Sequence, residues 1–243
     1  MSALYDTIGL NYADLRRPDA RIAAQIETAL GAARSVINVG AGAGSYEPTG
    51  RQITAVEPSA EMIAQRTNTD AVLVQGHAET LPFDDQSFDA AMAVLTIHHW
   101  SDQEKGTLEM RRVARDKVVF LTFDPQFHDF WLTDYFPQLI TLDEAQMPRL
   151  SDYESWLGPV KISPVPIPTD CTDGFLAGYW SRPQAYLDPR ARSAMSSFWK
   201  IDGLENGLAQ LEDDLRSGRW EDKYGDLLHL DELDCGYRLV ETA

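Results

Sequence analysis

The sequence predicts an open α/β fold, a mostly parallel sheet flanked by helices, and three observations carry that prediction. Val36-Ile37-Asn38-Val39 is an apolar run that enters Gly40-Ala41-Gly42-Ala43-Gly44, a turn with glycine at every second position. A second apolar run, Ile53 to Val56, ends on the carboxylate of Glu57. Further on, Pro164, Pro166 and Pro168 share one parity in an extended stretch, so their missing N–H groups fall on one side, which only a sheet edge tolerates. In an open α/β sheet the ligand crevice lies outside the carboxyl ends of the strands. The glycine turn and Glu57 form the floor of that crevice. Gly40, Gly42 and Gly44 let a ligand lie against bare backbone, and Glu57 is placed to accept hydrogen bonds from two ribose hydroxyls.

Composition bounds the answer. At 243 residues and 44% hydrophobic content, the chain is one generous domain or a domain with a cap. The formal charge of −17 repels polyanions and argues against nucleic acid as partner. Arg111, Arg112 and Arg115, the densest basic patch, fall on an amphipathic helix and read as a solvated face. Cys171 and Cys235 are too far apart for a zinc knuckle or a disulfide framework, and the five histidines are scattered apart from His98-His99, so no metal is expected. There is no apolar run long enough to span a membrane and no signal-peptide pattern. A cytoplasmic protein with no membrane contact is expected, a monomer or homodimer.

Taken in order, residues 1–17 carry Tyr5, Tyr12, Arg16 and Arg17 in a segment too polar for core. Pro18 and Asp19 open a helix with Ile22, Ile26 and Leu30 four apart, which Gly31 ends. Val36–Val39 reads as a strand buried on both faces. A parallel crossover normally takes a dozen or more residues. Only eight separate Gly44 from Ile53, two of them Pro48 and Gly50, so the crossover helix is expected to shrink to about one turn and leave that side of the pocket more open. Ser59 caps a helix to about Arg66 with Met62 and Ile63 inward. Ala71–Val74 is the third strand.

A dinucleotide site would need Gly-x-Gly-x-x-Gly and a long helix to hold a pyrophosphate; neither is present. Gly40-x-Gly42-x-Gly44 with Glu57 instead resembles motifs I and II of the class I S-adenosylmethionine-dependent methyltransferases. Gly76-His77-Ala78-Glu79, Leu81-Pro82-Phe83 and Ser87-Phe88-Asp89 resemble a signature of one broad small-molecule branch. The resemblance implies a Rossmann-like seven-stranded, mostly parallel sheet, order 3-2-1-4-5-7-6 with the last strand antiparallel, helices on both faces and a helical cap. It implies S-adenosyl-L-methionine as cofactor and S-adenosyl-L-homocysteine as product. The residues it assigns to that cofactor are Asn38, Gly40, Gly42, Gly44, Glu57, Pro58, His77, Ala78, Glu79, Leu95 and Thr96. Asn38 and His77 stand where the family usually has Asp: Asn keeps hydrogen bonding but loses the charge that favours the cofactor's ammonium, and a neutral imidazole can still accept an adenine amino proton. In related enzymes the segment before the first strand, here about 1–33, covers the cofactor, which would bring Tyr12 and Arg17 to the methionine carboxylate. Surface tyrosines and a solvated arginine pair are the alternative.

Ala90–Ile97 is the fourth strand, followed by His98-His99-Trp100 and a capping box, Ser101-x-x-Glu104. Histidine has the right ordinary pKa for a base near neutrality, so His98, His99 and Tyr12 are the candidate catalytic groups; the alternative is two structural histidines packed on Trp100. Lys117–Phe123 is the fifth strand. Phe127, Phe130, Trp131, Tyr135 and Phe136 follow it, either as core or as a wall around a substrate. Asp152–Leu157 is a short helix ended by Gly158, and the proline-rich stretch makes the sixth strand. With Tyr237–Thr242 as the last strand, about 170–233 becomes a helical cap inserted in a single domain of residues 1–243; Leu204, Leu208, Leu211 and Leu215 stripe one of its helices. Asp170, Cys171, Asp173, Tyr179, Trp180 and Arg182, where the cap begins, face the substrate or simply form loop. The layout is similar to the trans-aconitate methyltransferase-like branch, though the acidic balance disfavours an anionic acceptor.

The expected function is methyl transfer to a small-molecule acceptor at an O, N or C atom, chiefly by alignment and exclusion of water. The alternatives are a protein- or RNA-directed methyltransferase and a non-catalytic nucleotide-cofactor-binding protein.

Overall fold

The computed structural model describes residues 15–66 and 70–243. Its central sheet has seven strands in the order β3-β2-β1-β4-β5-β9-β6. These are β1 (Ser35–Val39), β2 (Gln52–Glu57), β3 (Val72–Gln75), β4 (Phe88–Val94), β5 (Ala114–Phe123), β6 (Val160–Pro164) and β9 (Tyr237–Thr242). Strands β1 to β5 run parallel, and β9 lies antiparallel between β5 and β6. Counting only the strands of this sheet, that is the expected order with the last strand reversed. A two-stranded ribbon, β7 (Ile167–Pro168) with β8 (Glu232–Leu233), was not anticipated; it closes the base of the 170–231 segment.

Alternation along the strands divides the core into two layers. Val36, Ile53, Ala55, Ala90, Met92, Val119 and Leu121 pack on one face, against Ile22, Ile26 and Leu30 of α1 (Ala20–Leu30). Ile37, Val39, Val56, Ala91, Ala93, Val118 and Phe120 pack on the other, against Met110 and Val113 of α3 (Gln103–Val113). This period-two division is what a sheet covered on both faces requires. Helix α1 begins where Asp19 accepts a hydrogen bond from the Arg21 N–H and ends at Gly31, as the sequence predicts. Helix α2 (Ala60–Ala64) is capped by Ser59, with Met62 buried.

Three local expectations are corrected. The β1–β2 crossover holds turns and no helix at all. Nor does it open the pocket: Tyr46 is buried there and Glu47 pairs with Arg66 at 2.6 Å, both side chains 2% exposed. The cap of α3 is Asp102, which accepts from the Lys105 N–H, because Ser101 is engaged with Glu79. The basic patch does not lie on one helix: Arg111 and Arg112 end α3, whereas Arg115 stands on β5, and these side chains remain partly or fully exposed, Arg112 pairing with Glu109 and Asp85 and Arg115 with Asp89.

After β5 come α4 (Leu132–Tyr135), α5 (Gln138–Gln146) and α6 (Leu150–Leu157), the last ended by Gly158. Most of the aromatic cluster is core: Trp131 stacks edge-on against Tyr186 and Trp220, and its indole N–H donates to the Trp180 carbonyl. Between β7 and β8 lie short 3-10 turns, α7 (Pro189–Arg192), α8 (Leu204–Ser217) and α9 (Arg219–Tyr224). Leu211 of α8 is buried, and Leu204, Leu208 and Leu215 pack partly buried against the same core. β6 lies on the sheet's edge, as expected, but it holds only Pro164 of the three prolines; Pro166 falls between strands and Pro168 in β7.

Candidate active site

The carboxyl ends of β1, β2 and β4 open into a cavity of about 420 Å³, within the range of small-molecule sites. Asn38, Gly40, Gly42, Glu57, Pro58, His77, Ala78, Glu79, Leu95, Thr96 and His99 line it. The structure thus brings most of the predicted set together. Gly44 stands behind the lining, where a β-carbon would meet the Arg66 guanidinium at 3.1 Å.

Glu57 is 8% exposed and joins the two motifs. One of its oxygens accepts from the Gly42 N–H at 2.8 Å and the other from the Ser59 N–H at 2.9 Å. Burial raises its carboxyl above the ordinary range, outweighing those two N–H groups and the Arg66 and His77 charges. Each oxygen keeps a lone pair for a ligand. The glycine turn folds back on β2, the N–H groups of Gly40 and Ala41 both donating to the Val56 carbonyl. At Gly40 the freed space belongs to the protein itself: a β-carbon there would lie 2.2 Å from Thr96 Oγ1.

Asn38 is 2% exposed. Its Nδ2 donates to Glu47 Oε1, while its Oδ1 is buried with no partner among the described residues. Glu79 is clamped on the far wall, accepting from the Ser101 N–H and hydroxyl and the Asp102 N–H; burial pushes its carboxyl up, but these donors hold it below the usual range.

Beyond β4 the histidines part. His99 lines the main cavity, and His98 lines a second, smaller one. Their rings stand 3.9 Å apart, and His98 Nδ1 has no partner among the described residues. Burial first, then the charges of His99, Lys200 and Arg16, hold His98 well below the usual imidazole range. His99, though exposed to the cavity, is crowded enough to be pushed down to about 4, burial leading and Lys200 adding. Both imidazoles are therefore neutral, proton-accepting groups at pH 7.

Residues 37–122 match the model of the family described as Methyltransferase domain. Over 95% of its length the chain is similar to a solved structure from Anabaena variabilis ATCC 29413, a protein named provisionally as a methyltransferase of an antibiotic biosynthesis pathway. Identity is 37%, all of that chain is covered, and the TM-score is 0.88. The chain belongs to the class I S-adenosylmethionine-dependent methyltransferases.

Among curated relatives, the uncharacterized methyltransferase YcgJ of Bacillus subtilis is 32% identical over 133 residues, 50% of this chain and 53% of that protein. The 2-methyl-6-phytyl-1,4-hydroquinone methyltransferase 2 of Oryza sativa is 26% identical over 133 residues, 36% of its length. The chain therefore spans about half the length of the first and about a third of the second.

The donor set of this methyltransferase fits its family's cofactor. A buried carboxylate with free lone pairs faces the cavity where a ribose needs acceptors, and the orphaned Asn38 Oδ1 offers an acceptor to an ammonium group. One predicted residue stands elsewhere, and another is not among those described. Arg17 is exposed and does not line the cavity, whereas its neighbour Arg16 does; Tyr12 lies outside the described residues.

Sequence reasoning missed Tyr46, whose hydroxyl donates to Asp173 Oδ2 at 2.9 Å and accepts from the Asp19 N–H at 3.3 Å. It missed the pairing of Arg16 with Asp173 at 2.6 Å, which ties the entry segment to the start of the cap region. Of the other residues there, Trp180 is fully buried and Arg182 stacks on Tyr179, so both act as framework. Among the described residues no group of His, Cys, Asp and Glu side chains is arranged to hold a metal ion, and no helix is long and apolar enough to cross a membrane.

Proposed function

We propose that this protein transfers the methyl group of S-adenosylmethionine to a small-molecule acceptor, leaving S-adenosylhomocysteine. The observation that carries the proposal is Glu57, a buried carboxylate that fixes the glycine turn through Gly42 and faces a cavity sized for an adenosyl group. In this reading Glu57 takes the ribose hydroxyls, with Pro58 beside it. Asn38 takes the ammonium, and Arg16, in place of Arg17, the carboxylate. Backbone at Gly40, Gly42 and Gly44 supports the ligand, His77, Ala78 and Glu79 flank the adenine, and Leu95 and Thr96 close the floor. When bound, the cofactor supplies a methyl group activated by its sulfonium, whose bonding pair stays with sulfur on transfer. The chain's own work is to orient the acceptor, exclude water and receive any proton the acceptor loses, for which His98 and His99 are neutral and at hand.

Three further features support a small acceptor. The charge of −17 disfavours nucleic acid. In this reading the 170–233 region caps the domain, and the described part of the entry segment, from residue 15 on, lies over the cofactor through Arg16. The rice relative is named for a hydroquinone acceptor. The two free, buried cysteines fit a cytoplasmic setting.

Calorimetric titration with S-adenosylhomocysteine tests the proposal. Glu57→Gln is expected to weaken binding about 30–100-fold, the worth of one or two hydrogen bonds to a charged group. The wild-type affinity is expected to fall with pH. The ribose hydroxyls bind the carboxylate form, and a raised pKa means that protonation begins above the ordinary Glu range. The Glu57→Gln affinity is expected to stay flat through that window. Binding of NAD with no binding of S-adenosylhomocysteine would reject the reading.

A further inference from the structure

Three cavities run in a row from the proposed methyl site toward the outside. The main cavity shares Arg16 and Leu95 with the second, of about 80 Å³. The second shares Phe123, Asp143, Leu176 and Tyr237 with a third, a narrow slot of about 20 Å³. Their character changes along the row. The second is flanked by three rings set against each other, Phe123 to Tyr237 at 5.4 Å and Phe175 to Tyr237 at 4.8 Å, and it holds His98 with its orphaned Nδ1. The slot beyond is walled by apolar side chains, Phe127, Phe130, Leu139 and Ile140 among them, and reaches exposed His128.

Resting on the methyltransferase reading, we infer that the acceptor is a flat ring bearing a hydroxyl, seated where the second cavity joins the main one with the hydroxyl donating to His98, and that the slot takes a short apolar substituent on the ring's far side. The aromatic trio suits a ring, which prefers edge-on and offset contacts with its neighbours. His98, as the tautomer protonated at Nε2, has an acceptor to offer that no group among the described residues takes. Lys200 and Arg16 near the histidines oppose a cationic amine there; Asp143, which also lines the cavity, accepts from Gln146 at 3.4 Å. Leu95 marks the junction with the main cavity. It is held at a φ of 50°, a conformation rare for a branched residue, by its N–H bond to Leu121. In the transfer itself a bond forms from the ring oxygen to the methyl carbon while the S–CH₃ bond breaks, and the hydroxyl proton passes to His98 Nδ1 and on to solvent.

The probes are phenol and its 4-methyl, 4-ethyl and 4-hexyl derivatives, titrated into full-length protein saturated with S-adenosylhomocysteine. Affinity is expected to rise about threefold from phenol to the 4-methyl derivative, the worth of a buried CH₂ group, and to fall again at 4-hexyl, for which a slot of about 20 Å³ has no room. 4-Methylanisole, which has no proton to donate, is expected to bind about fivefold to tenfold more weakly than 4-methylphenol, and His98→Ala to erase that difference. Ile140→Trp is expected to remove the gain of the methyl and leave phenol itself unchanged. If that variant does not fold, Ile140→Ala is expected to move the optimum to a longer substituent. A wild-type series with no optimum at a short substituent, or an optimum unmoved at Ile140, overturns the slot; equal binding of the anisole, or tighter binding of 4-methylbenzylamine, overturns the hydroxyl. Loss of S-adenosylhomocysteine binding in the wild type is a different result, the failure of the methyltransferase reading.

Discussion

A β-carbon on Gly40 would meet Thr96 Oγ1 at 2.2 Å, at a backbone φ of 71° that side chains rarely adopt. Both penalties act together, so Gly40→Ala is expected to cost about 3 kcal/mol in urea unfolding. Adding Thr96→Ala is expected to recover only part of it, because the Thr96 β-carbon is itself 3.0 Å away and the backbone strain remains. The glycine at this position is legible from the motif, but its reason is not. The pattern suggests room for a ligand, and the neighbour that needs the room arrives on a different strand. Asp143 is a second case. Its ordinary spacing on a helix says nothing of the burial that pushes its carboxyl up to about 6 from 3.8, ahead of the opposing Gln146 and Lys200. A folded pKa above the unfolded one favours the protonated form, so this contribution to stability is complete below about pH 4 and is lost as pH rises through 6. Asp143→Asn removes the penalty. It is expected to exceed the wild type by about 2–3 kcal/mol at pH 8 and to match it near pH 3.5, as denaturant midpoints at the two pH values will reveal.

At the scale of elements, the strands were the legible part. Val36–Val39 and Val118–Phe123 are apolar but for Asn38 and Thr122 because both faces of the sheet are covered, and Pro164 fits β6 as an edge because a missing N–H is costly anywhere else. The β1–β2 crossover was legible only as too short. What replaces its helix is an ion pair, and charge pairs carry no periodicity for a sequence to display. Glu47 and Arg66 bond bidentately at 2.7 and 2.6 Å, Arg66 reaches the Gly42 carbonyl at 3.2 Å, and Asn38 donates to Glu47 at 3.1 Å. This strut holds the glycine turn to the segment that follows α2. Removing one buried charge leaves the other uncompensated, so Glu47→Gln is expected to destabilise by about 3–5 kcal/mol. Replacing both residues by apolar ones of similar volume is expected to be far milder. A double-mutant cycle followed by thermal unfolding separates the two cases, and equal losses in the single and double variants would remove the strut from the account.

Over the whole molecule, the entry segment and the cap region meet above the cavity through contacts that join residues more than a hundred positions apart. Arg16 pairs with Asp173, a bridge of β type joins the same two residues, and the Gly174 N–H donates to the Leu15 carbonyl. Tyr46 completes the join from the β1–β2 turn. Such a contact is invisible in sequence because each partner, taken alone, reads as a polar loop residue. Only the topology, which returns the chain from β7 to the mouth of the main cavity, makes them neighbours. The same placement makes Asp173 structural and gives it consequences for ligand binding, since Arg16 lines the cavity. Asp173→Ala leaves Arg16 without its carboxylate and the Tyr46 hydroxyl without its acceptor, in a site where Asp173 is 1% exposed. Local opening of the 15–21 segment is then expected to become about 10–100-fold more frequent, read as faster tryptic cleavage after Arg16 or Arg21 at a protease concentration where cleavage follows the open population. S-adenosylhomocysteine is expected to slow that cleavage in the wild type, because a ligand that binds only the closed form stabilises it by mass action, and to slow it less in the variant. Asp170→Ala is the control: that carboxylate also bonds an arginine, Arg21, but is 75% exposed, and a pair in water is worth little. Equal cleavage rates in Asp173→Ala and Asp170→Ala would mean that the join does not hold the entry segment in place.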